Sequence, residues 1–169
     1  DLIVTLDKQS LTNSGSDTIL ATVQAVDSRR VVVSGATVAM SVDANAVVAA
    51  SGTTTGSDGK VSATVGVGAD RSNRVVTFAA VSGSLRRTAS IAVTGSSIGA
   101  SLATTVEPGS VGNTTRYRVL DVNSNPLVGQ AITVSAPGLA GTSGVTSSNG
   151  DFEFVYTAPA VAGQLVVTA

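Results

Sequence analysis

The fold can be predicted from one segment of the sequence, LDVNSNPLVGQAITVSA at residues 120–136. An alternating run of apolar and polar residues ends at Asp121, and a glycine eight residues later precedes a second alternating run. The stretch VDSRRVVVSGATVAMSV, residues 26–42, repeats this arrangement after Asp27. Alternation with period two is typical of a strand with one buried face, so each stretch predicts two strands joined by a turn. The chain therefore contains the same structural device twice.

The repeat continues into the flanking strands and keeps the same face in each copy. Inward positions of the first copy are matched 94 residues later: Ala21, Val23 and Ala25 by Thr115, Tyr117 and Val119, and Val38, Met40 and Val42 by Ile132, Val134 and Ala136. Because a shift of one residue would exchange the two faces of a strand, this agreement indicates equivalent strands.

A second turn is repeated with an offset of 91 residues. Asp58-Gly59 of the first copy corresponds to Asn149-Gly150 of the second. Both pairs predict a two-residue turn with positive φ at both central residues. The smaller offset means that the second copy is three residues shorter in the loop around APGLAGTSG, residues 136–144.

The second copy stops earlier than the first in this alignment. Its last inward residues align as follows: Leu165, Val167 and Ala169 with Val76, Phe78 and Ala80. The first copy then continues through GSLRRTASIAVTG, so the second is expected to lack its last strand. Either this is a fragment boundary, or the open edge accepts a strand from a neighbouring subunit.

The pattern predicts an all-β chain. Alternating runs are separated by Gly, Ser, Asn or Asp clusters, and no stretch of about 11 residues has helical periodicity. About seven short strands in about 93 residues are typical of a two-sheet sandwich of immunoglobulin type. We therefore expect two tandem immunoglobulin-like β-sandwiches, residues 1–94 and residues 95–169, the second incomplete at its C-terminus.

Composition argues against several functions. With 10 basic and 11 acidic side chains, the chain has no strong field for nucleic acid or an anionic membrane. Cys and His are absent, which removes thiolate nucleophiles, disulfides and the commonest general base. The two glutamates, Glu107 in a turn and Glu153 on an outer strand face, do not suggest a glycosidase pair. We expect no enzymatic activity and no nucleic-acid partner.

The sequence has no membrane or targeting segment of a familiar kind. No apolar run reaches the roughly 18 residues of a membrane-spanning helix. The first residues, DLIVTLDKQS, have neither the basic start nor the cleavage site of a signal peptide. We expect no direct membrane insertion, and we expect the chain to be an internal segment of a longer polypeptide.

The segment at residues 121–136 resembles part of a known module. DVNSNPLVGQAITVSA is similar to the strand-turn-strand element of group 1 bacterial immunoglobulin-like domains, the Big-1 modules of intimin- and invasin-type surface proteins. Asp121, Asn125, Pro126 and Gly129 match that element, and Ser124 stands where Gly is usual. The resemblance covers nearly the whole chain as two copies. It implies rigid extracellular arrays that hold a binding tip away from the bacterial surface, some of which also take part in adhesion.

The first copy departs from this element. It keeps Asp27 and Gly35 but has Val31-Val32 in place of Asn-Pro, so its turn is expected to be reshaped. The T-x-x-x-G element that precedes the next strand is present in both copies and ends at Gly59 and Gly150.

The turn residues are interpreted as structural. Asp27 and Asp121 are expected to hydrogen-bond backbone N–H groups in Asx turns. Gly35 and Gly129 are expected to mark a bend or a close backbone approach. Calcium is the one candidate cofactor, because Asp side chains recur in loops, but no D-x-D or EF-hand pattern is present. We expect no cofactor and no metal.

Arginines provide the candidate ligand face. Arg116 and Arg118 share one face of a strand because they are two residues apart. They and the remaining arginines either bind anionic glycans or lipopolysaccharide, or are solvated charges that discourage edge-to-edge association. The remaining arginines are Arg29, Arg30, Arg71, Arg74, Arg86 and Arg87.

The resemblance favours a non-catalytic spacer or stalk segment of an adhesin-like protein at the bacterial cell surface, where neighbouring domains of the same polypeptide are its partners. One alternative is a binding module that contacts a host or neighbouring-cell ligand through loops or the arginine face. Another is a self-assembling filament or surface-layer subunit that uses the open edge of the second copy. The sequence does not separate the first two.

Overall fold

The computed structural model describes residues 1–101 and 105–169, and the chain divides into two compact units, Asp1–Gly95 and Ser96–Ala169. The described ranges contain thirteen strands and no helix. The all-β prediction is confirmed. Consequently, no helix in those ranges is available to cross a bilayer.

The first unit is a sandwich of two four-stranded sheets, ordered β1-β3-β6-β5 and β2-β8-β7-β4. Neighbouring strands are antiparallel except for the parallel pair β2 and β8. The strands are β1 (Leu2–Leu6), β2 (Ser10–Thr12), β3 (Thr18–Ala25), β4 (Ala39–Val42), β5 (Val47–Ala50), β6 (Lys60–Gly66), β7 (Arg74–Ser82) and β8 (Leu85–Thr94). The short strands β2 and β5 have no alternating run in the sequence.

The core of the first unit follows from the period-two pattern. In β3, every second residue from Ile19 to Ala25 is buried, and the residues between them face outward. Phe78 of β7 is completely buried and is the largest side chain in this core, which is otherwise filled by Val, Ile, Leu and Ala. Burial of each Val, Ile or Phe side chain contributes about 1.5–3 kcal/mol, so many small contributions hold the two sheets together.

The second unit repeats part of this arrangement. Its strands are β9 (Ser97–Ser101), β10 (Asn113–Leu120), β11 (Ala131–Val134), β12 (Thr142–Val145) and β13 (Asp151–Tyr156). They form a three-stranded sheet, β13-β10-β9, and a two-stranded sheet, β11-β12. The core contains Tyr117, Val119, Leu127, Ile132, Val134 and Phe154. Strands β9, β10, β11 and β13 are the counterparts of β1, β3, β4 and β6.

The pairing partners agree with the sequence alignment near the C-terminus. In the first unit Ser41 pairs with Ala79 between β4 and β7. In the second unit the aligned residues, Ser135 and Thr168, form an isolated bridge with two backbone hydrogen bonds, of 2.9 and 2.8 Å. A single bridge therefore stands where the first unit has a nine-residue strand. No strand in the described part of the second unit takes the place of β8, as expected.

The second unit also lacks a counterpart of β5, which the sequence analysis did not anticipate. With the offset of 91 residues, the counterpart is residues 138–141, which form a turn and a bend instead of a strand. This segment contains Gly138 and Gly141, and Leu139 N–H donates to the Ala136 carbonyl across the turn. Glycine is a poor strand former and the loop is three residues shorter, so no edge strand forms here. One edge of β13 is consequently unpaired in the described structure.

Candidate functional site

The two Asp turns have the same geometry. The Asp27 carboxylate accepts N–H donors from Arg29 at 2.8 Å and from Val31 at 2.9 Å. Asp121 makes the same bonds, both of 2.8 Å, to the N–H groups two and four residues farther on. In each turn one carboxylate oxygen thus accepts both N–H groups of its own loop, as in an Asx turn.

The turn of the first copy is not reshaped, so that expectation is wrong. Arg30 and Ser124 occupy the same place in the two turns, with φ of 66° and 64°. Residues in this left-handed region are uncommon except for Gly, Asn and Asp, so both turns hold an unfavourable backbone conformation through the Asp hydrogen bonds. Pro126 and Val32 form equivalent bridges to the preceding strand. Asn-Pro is therefore not required for this geometry.

The glycines of the candidate site fall into two kinds. Gly35 and Gly129 have φ of 74° and 71°, and no atom lies within 4 Å of a Cβ built on either. Gly59 and Gly150 also have positive φ, but a Cβ on Gly59 would lie 2.8 Å from Cβ of Val32. Close backbone approach thus occurs at the second pair and not at the first.

The prediction of positive φ at both central residues of the second turn is wrong. Asp58 and Asn149 are outside the set of residues with positive φ, and only the following glycines adopt it. Gly59 N–H donates to the Gly56 carbonyl, and Gly56 N–H donates to Lys60. This is a four-residue turn that ends in a left-handed glycine, a common alternative to the two-residue hairpin.

In each unit a buried threonine links the Asp turn to the T-x-x-x-G element by hydrogen bonds. The sequence analysis did not predict this role. The Thr55 hydroxyl donates to the Val33 carbonyl at 2.7 Å and accepts the Ala36 N–H at 3.0 Å. In the second unit, the Thr146 hydroxyl forms the equivalent bonds, of 2.5 and 2.9 Å. Thr is the first residue of the T-x-x-x-G element in each copy, so the signal was present in the sequence.

Arg116 and Arg118 lie on the exposed face of β10, opposite acidic residues of β13. Arg116 donates to one oxygen of Glu153 from Nε and Nη2, at 3.2 and 2.9 Å. Arg118 contacts both oxygens of Asp151, at 2.6 and 2.9 Å, in a bidentate pair. The strand register explains both ion pairs, because it places each arginine directly across from one carboxylate. The positive charge of the candidate ligand face is therefore balanced within the sheet.

The other arginines do not form one basic patch. Arg74 is largely buried and donates to the carbonyls of Ala44, Val67 and Asp70, so it closes loops at one end of the first unit. Arg87 forms an ion pair with Asp1 at 2.7 Å. Arg29, Arg30 and Arg86 are exposed and form no ion pair among the described residues.

No protein-family model matches the chain, and no curated protein matches it in sequence. Among solved structures, the Yersinia pseudotuberculosis adhesin InvE is 14% identical and has a TM-score of 0.62, with 94% of this chain and 51% of InvE covered. Invasin, a bacterial integrin-binding protein, is 13% identical with a TM-score of 0.52, and the match covers 99% of this chain and 35% of invasin. The chain has the fold of invasin-type immunoglobulin-like domains.

The Big-1-like assignment thus holds at the level of fold. The D0-D1 domains of intimin are also similar, at 21% identity and a TM-score of 0.48, with 98% of this chain and 88% of that structure covered. This chain spans about half of the InvE structure and about a third of the invasin structure. The activities and partners of those longer proteins come to this chain only as proposals.

Acidic side chains are the only potential metal ligands of these two units, because the sequence has no His and no Cys. Within residues 1–101 and 105–169, no three Asp or Glu side chains are grouped closely enough to hold a metal ion. Asp27 and Asp121 direct their carboxylates at backbone N–H groups. The absence of a cofactor and of enzymatic activity stays a prediction.

Asp151 gives a prediction about acid sensitivity. The Arg118 side-chain hydrogen bond holds the pKa of Asp151 below its ordinary value of 3.8. A lowered pKa in the folded state means that unfolding takes up a proton, so this stabilisation is complete above pH 3.8 and is lost as the pH falls through the folded-state pKa. We expect the Tm of the second unit to fall in this window, and to fall less steeply in Asp151→Asn.

Tyrosine fluorescence measures this effect separately, because the only two tyrosines, Tyr117 and Tyr156, are in the second unit. The first unit is an internal control. Its Asp43 also has a lowered pKa, because it accepts the Thr77 backbone N–H, and Asp151→Asn leaves that group in place. Identical acid dependence of the second unit in the wild type and in Asp151→Asn contradicts the prediction.

Proposed function

We propose that this chain is a structural spacer, a stalk segment of an adhesin-like protein on the bacterial cell surface. The observation that carries the proposal is the repetition of one Big-1-like unit, in which Arg116, Arg118 and the two turn carboxylates bond within the fold. The adhesins InvE and invasin share the fold. In this role the partners of the chain are neighbouring domains of the same polypeptide.

The turns at one end of each unit are held by hydrogen bonds, which supports a mechanical role. The Asp turn follows β3 in the first unit and β10 in the second. The Thr55 or Thr146 hydroxyl connects that turn to the T-x-x-x-G element. Loops held by several hydrogen bonds open less readily than solvated loops, so these ends resist local unfolding. A stalk needs this resistance to unfolding more than it needs a ligand pocket, because it holds other domains at a fixed distance from the cell surface.

A second candidate function is a ligand-binding module. Invasin is described as an integrin-binding protein, and a fragment of intimin has been solved with the translocated intimin receptor. In this chain the candidate surface is the face of Arg116 and Arg118, beside the small residues Gly99 and Ser101. The ion pairs with β13 weaken this alternative, because a ligand has to displace partners already in place.

Cell binding by the purified chain separates the two candidates. We expect fluorescently labelled chain to show no saturable binding to cultured epithelial cells, and the double variant Arg116→Ala/Arg118→Ala to behave like the wild type. Saturable binding that this variant abolishes contradicts the spacer proposal and supports the binding module. Val75→Ala is a matched control, because Val75 is exposed on a strand of the first unit.

A replacement experiment tests the spacer directly. In the parent polypeptide on bacteria, residues 1–169 are exchanged for an unrelated pair of immunoglobulin-like modules of equal residue number. A spacer is defined by its extent and stiffness, so we expect attachment to host cells to be preserved after the exchange and reduced after deletion. Loss of attachment with the replacement modules overturns the proposal.

A further inference from the structure

The unpaired edge of β13 has a definite set of free backbone groups. Val119 N–H donates to the Gly150 carbonyl at 2.9 Å, one step beyond the end of the β10-β13 ladder, and this bond fixes which residues of the ladder are hydrogen-bonded pairs. Such pairs alternate along an antiparallel ladder. Phe152, Phe154 and Tyr156 therefore direct their backbone groups toward β10. The residues between them direct theirs to the open edge.

The first unit shows what this edge accepts. The counterparts of Glu153 and Val155 are Ser62 and Thr64, and both are covered by the segment that includes β5. Thr64 pairs with Ala49, and Ser51 N–H donates to the Ser62 carbonyl at 2.8 Å. In the second unit, the outward groups of Glu153 and Val155 have no hydrogen-bond partner among the described residues. The edge is formed, and the strand that belongs beside it is missing.

We propose that β13 pairs antiparallel with β13 of a second copy of this chain, with Val155 opposite Val155. This register aligns the free groups of Glu153 in one copy with those of Thr157 in the other. It also places Phe154 across from Tyr156 on the core side of the sheet. Backbone pairing across a free edge is a recognised mode of association, and it would extend the three-stranded sheet to six strands.

The side chains make this edge self-complementary. Val155 is 61% exposed, and in the proposed register it packs against its own copy, a favourable cross-strand pair. The acidic residues of the strand do not face each other, and Glu153 already has Arg116 as its ion-pair partner. Residues 152–157 contain no Pro and no Lys, which commonly protect edge strands.

The proposed contact is closed. Each copy contributes the same edge of β13, so pairing occupies that edge in both copies. The result is a dimer with twofold symmetry and not an open filament. The interface is small, so we expect a weak and reversible dimer. On a cell surface, such pairing would join neighbouring stalks. This inference is independent of the spacer role, because a spacer functions with or without lateral pairing.

Sedimentation velocity over a range of chain concentrations tests the pairing. We expect the wild type to change reversibly from monomer to dimer as its concentration rises. Val155→Lys and Val155→Glu each place like charges opposite one another in the proposed register, and we expect each to weaken the dimer by about 10-fold or more. An equimolar mixture of the two variants restores the dimer, because Lys then faces Glu.

Two further variants complete the experiment. Val155→Pro removes the outward N–H without adding charge, and we expect it to abolish the dimer while far-UV circular dichroism stays unchanged. Val75→Lys, at a valine that is 63% exposed on β7, is the matched control and keeps the dimer. A wild type that stays monomeric at its solubility limit overturns the proposal. A dimer that all Val155 variants leave intact, or a variant mixture that stays monomeric, also overturns it.

Discussion

Phe78→Ala is expected to lower the free energy of unfolding of the first unit by about 3–5 kcal/mol. Phe78 is completely buried and is the largest side chain in that core, between two sheets built mainly from Val and Ala. Such small neighbours cannot close the space that the ring leaves, so both the lost burial and the remaining cavity contribute. Urea unfolding followed by far-UV circular dichroism measures the change.

The second unit supplies two controls for this experiment. Its tyrosine fluorescence reports only its own unfolding, and we expect that transition to be unaffected by Phe78→Ala. The aligned residue, Val167, is only half-buried, so Val167→Ala is expected to cost about 1 kcal/mol or less. Equal destabilisation by the two substitutions would contradict the view that the repeated positions differ in packing.

This contrast shows which parts of the fold the sequence could predict. The prediction of the inward faces of β3 and β10 is correct, because period-two alternation directly reflects which face of a strand is buried. The alignment equated Ser135 with Ser41 and Thr168 with Ala79, and the structure pairs these residues alike in the two units. It did not predict that one copy forms a nine-residue strand there and the other a single bridge. That outcome depends on neighbouring strands, which a local pattern does not contain.

The candidate site was predictable to a similar extent. The Asp turns could be anticipated because an Asx turn is a local interaction between a side chain and the next few N–H groups. The ion pairs of Arg116 and Arg118 could not, because they depend on the register of β10 against β13. The sequence analysis also did not predict the open edge of β13, which results from the absent counterpart of β5. The three-residue shortening that causes it was visible in the sequence, but its consequence lies on a different strand.

Gly150→Ala is expected to destabilise the second unit by about 3 kcal/mol or more, the sum of an overpacking cost and a backbone cost. An added Cβ would lie 2.7 Å from the Val119 carbonyl oxygen and 3.0 Å from Cβ of Pro126, so the turn would have to move away from the Asp turn. The positive φ of 72° adds about 1–2 kcal/mol for any residue with a Cβ. Tyrosine fluorescence during urea unfolding reports the change in this unit.

Gly129→Ala separates the two causes, because Gly129 has nearly the same φ, 71°, but no atom within 4 Å of the added Cβ. Only the backbone term applies there, so we expect a loss of about 1–2 kcal/mol with the same readout. The difference between the two variants then measures the close approach between the T-x-x-x-G turn and the Asp turn. If the two losses are equal, these turns are not held in contact, and the stiffness that the spacer proposal assigns to this end of the unit has no structural basis.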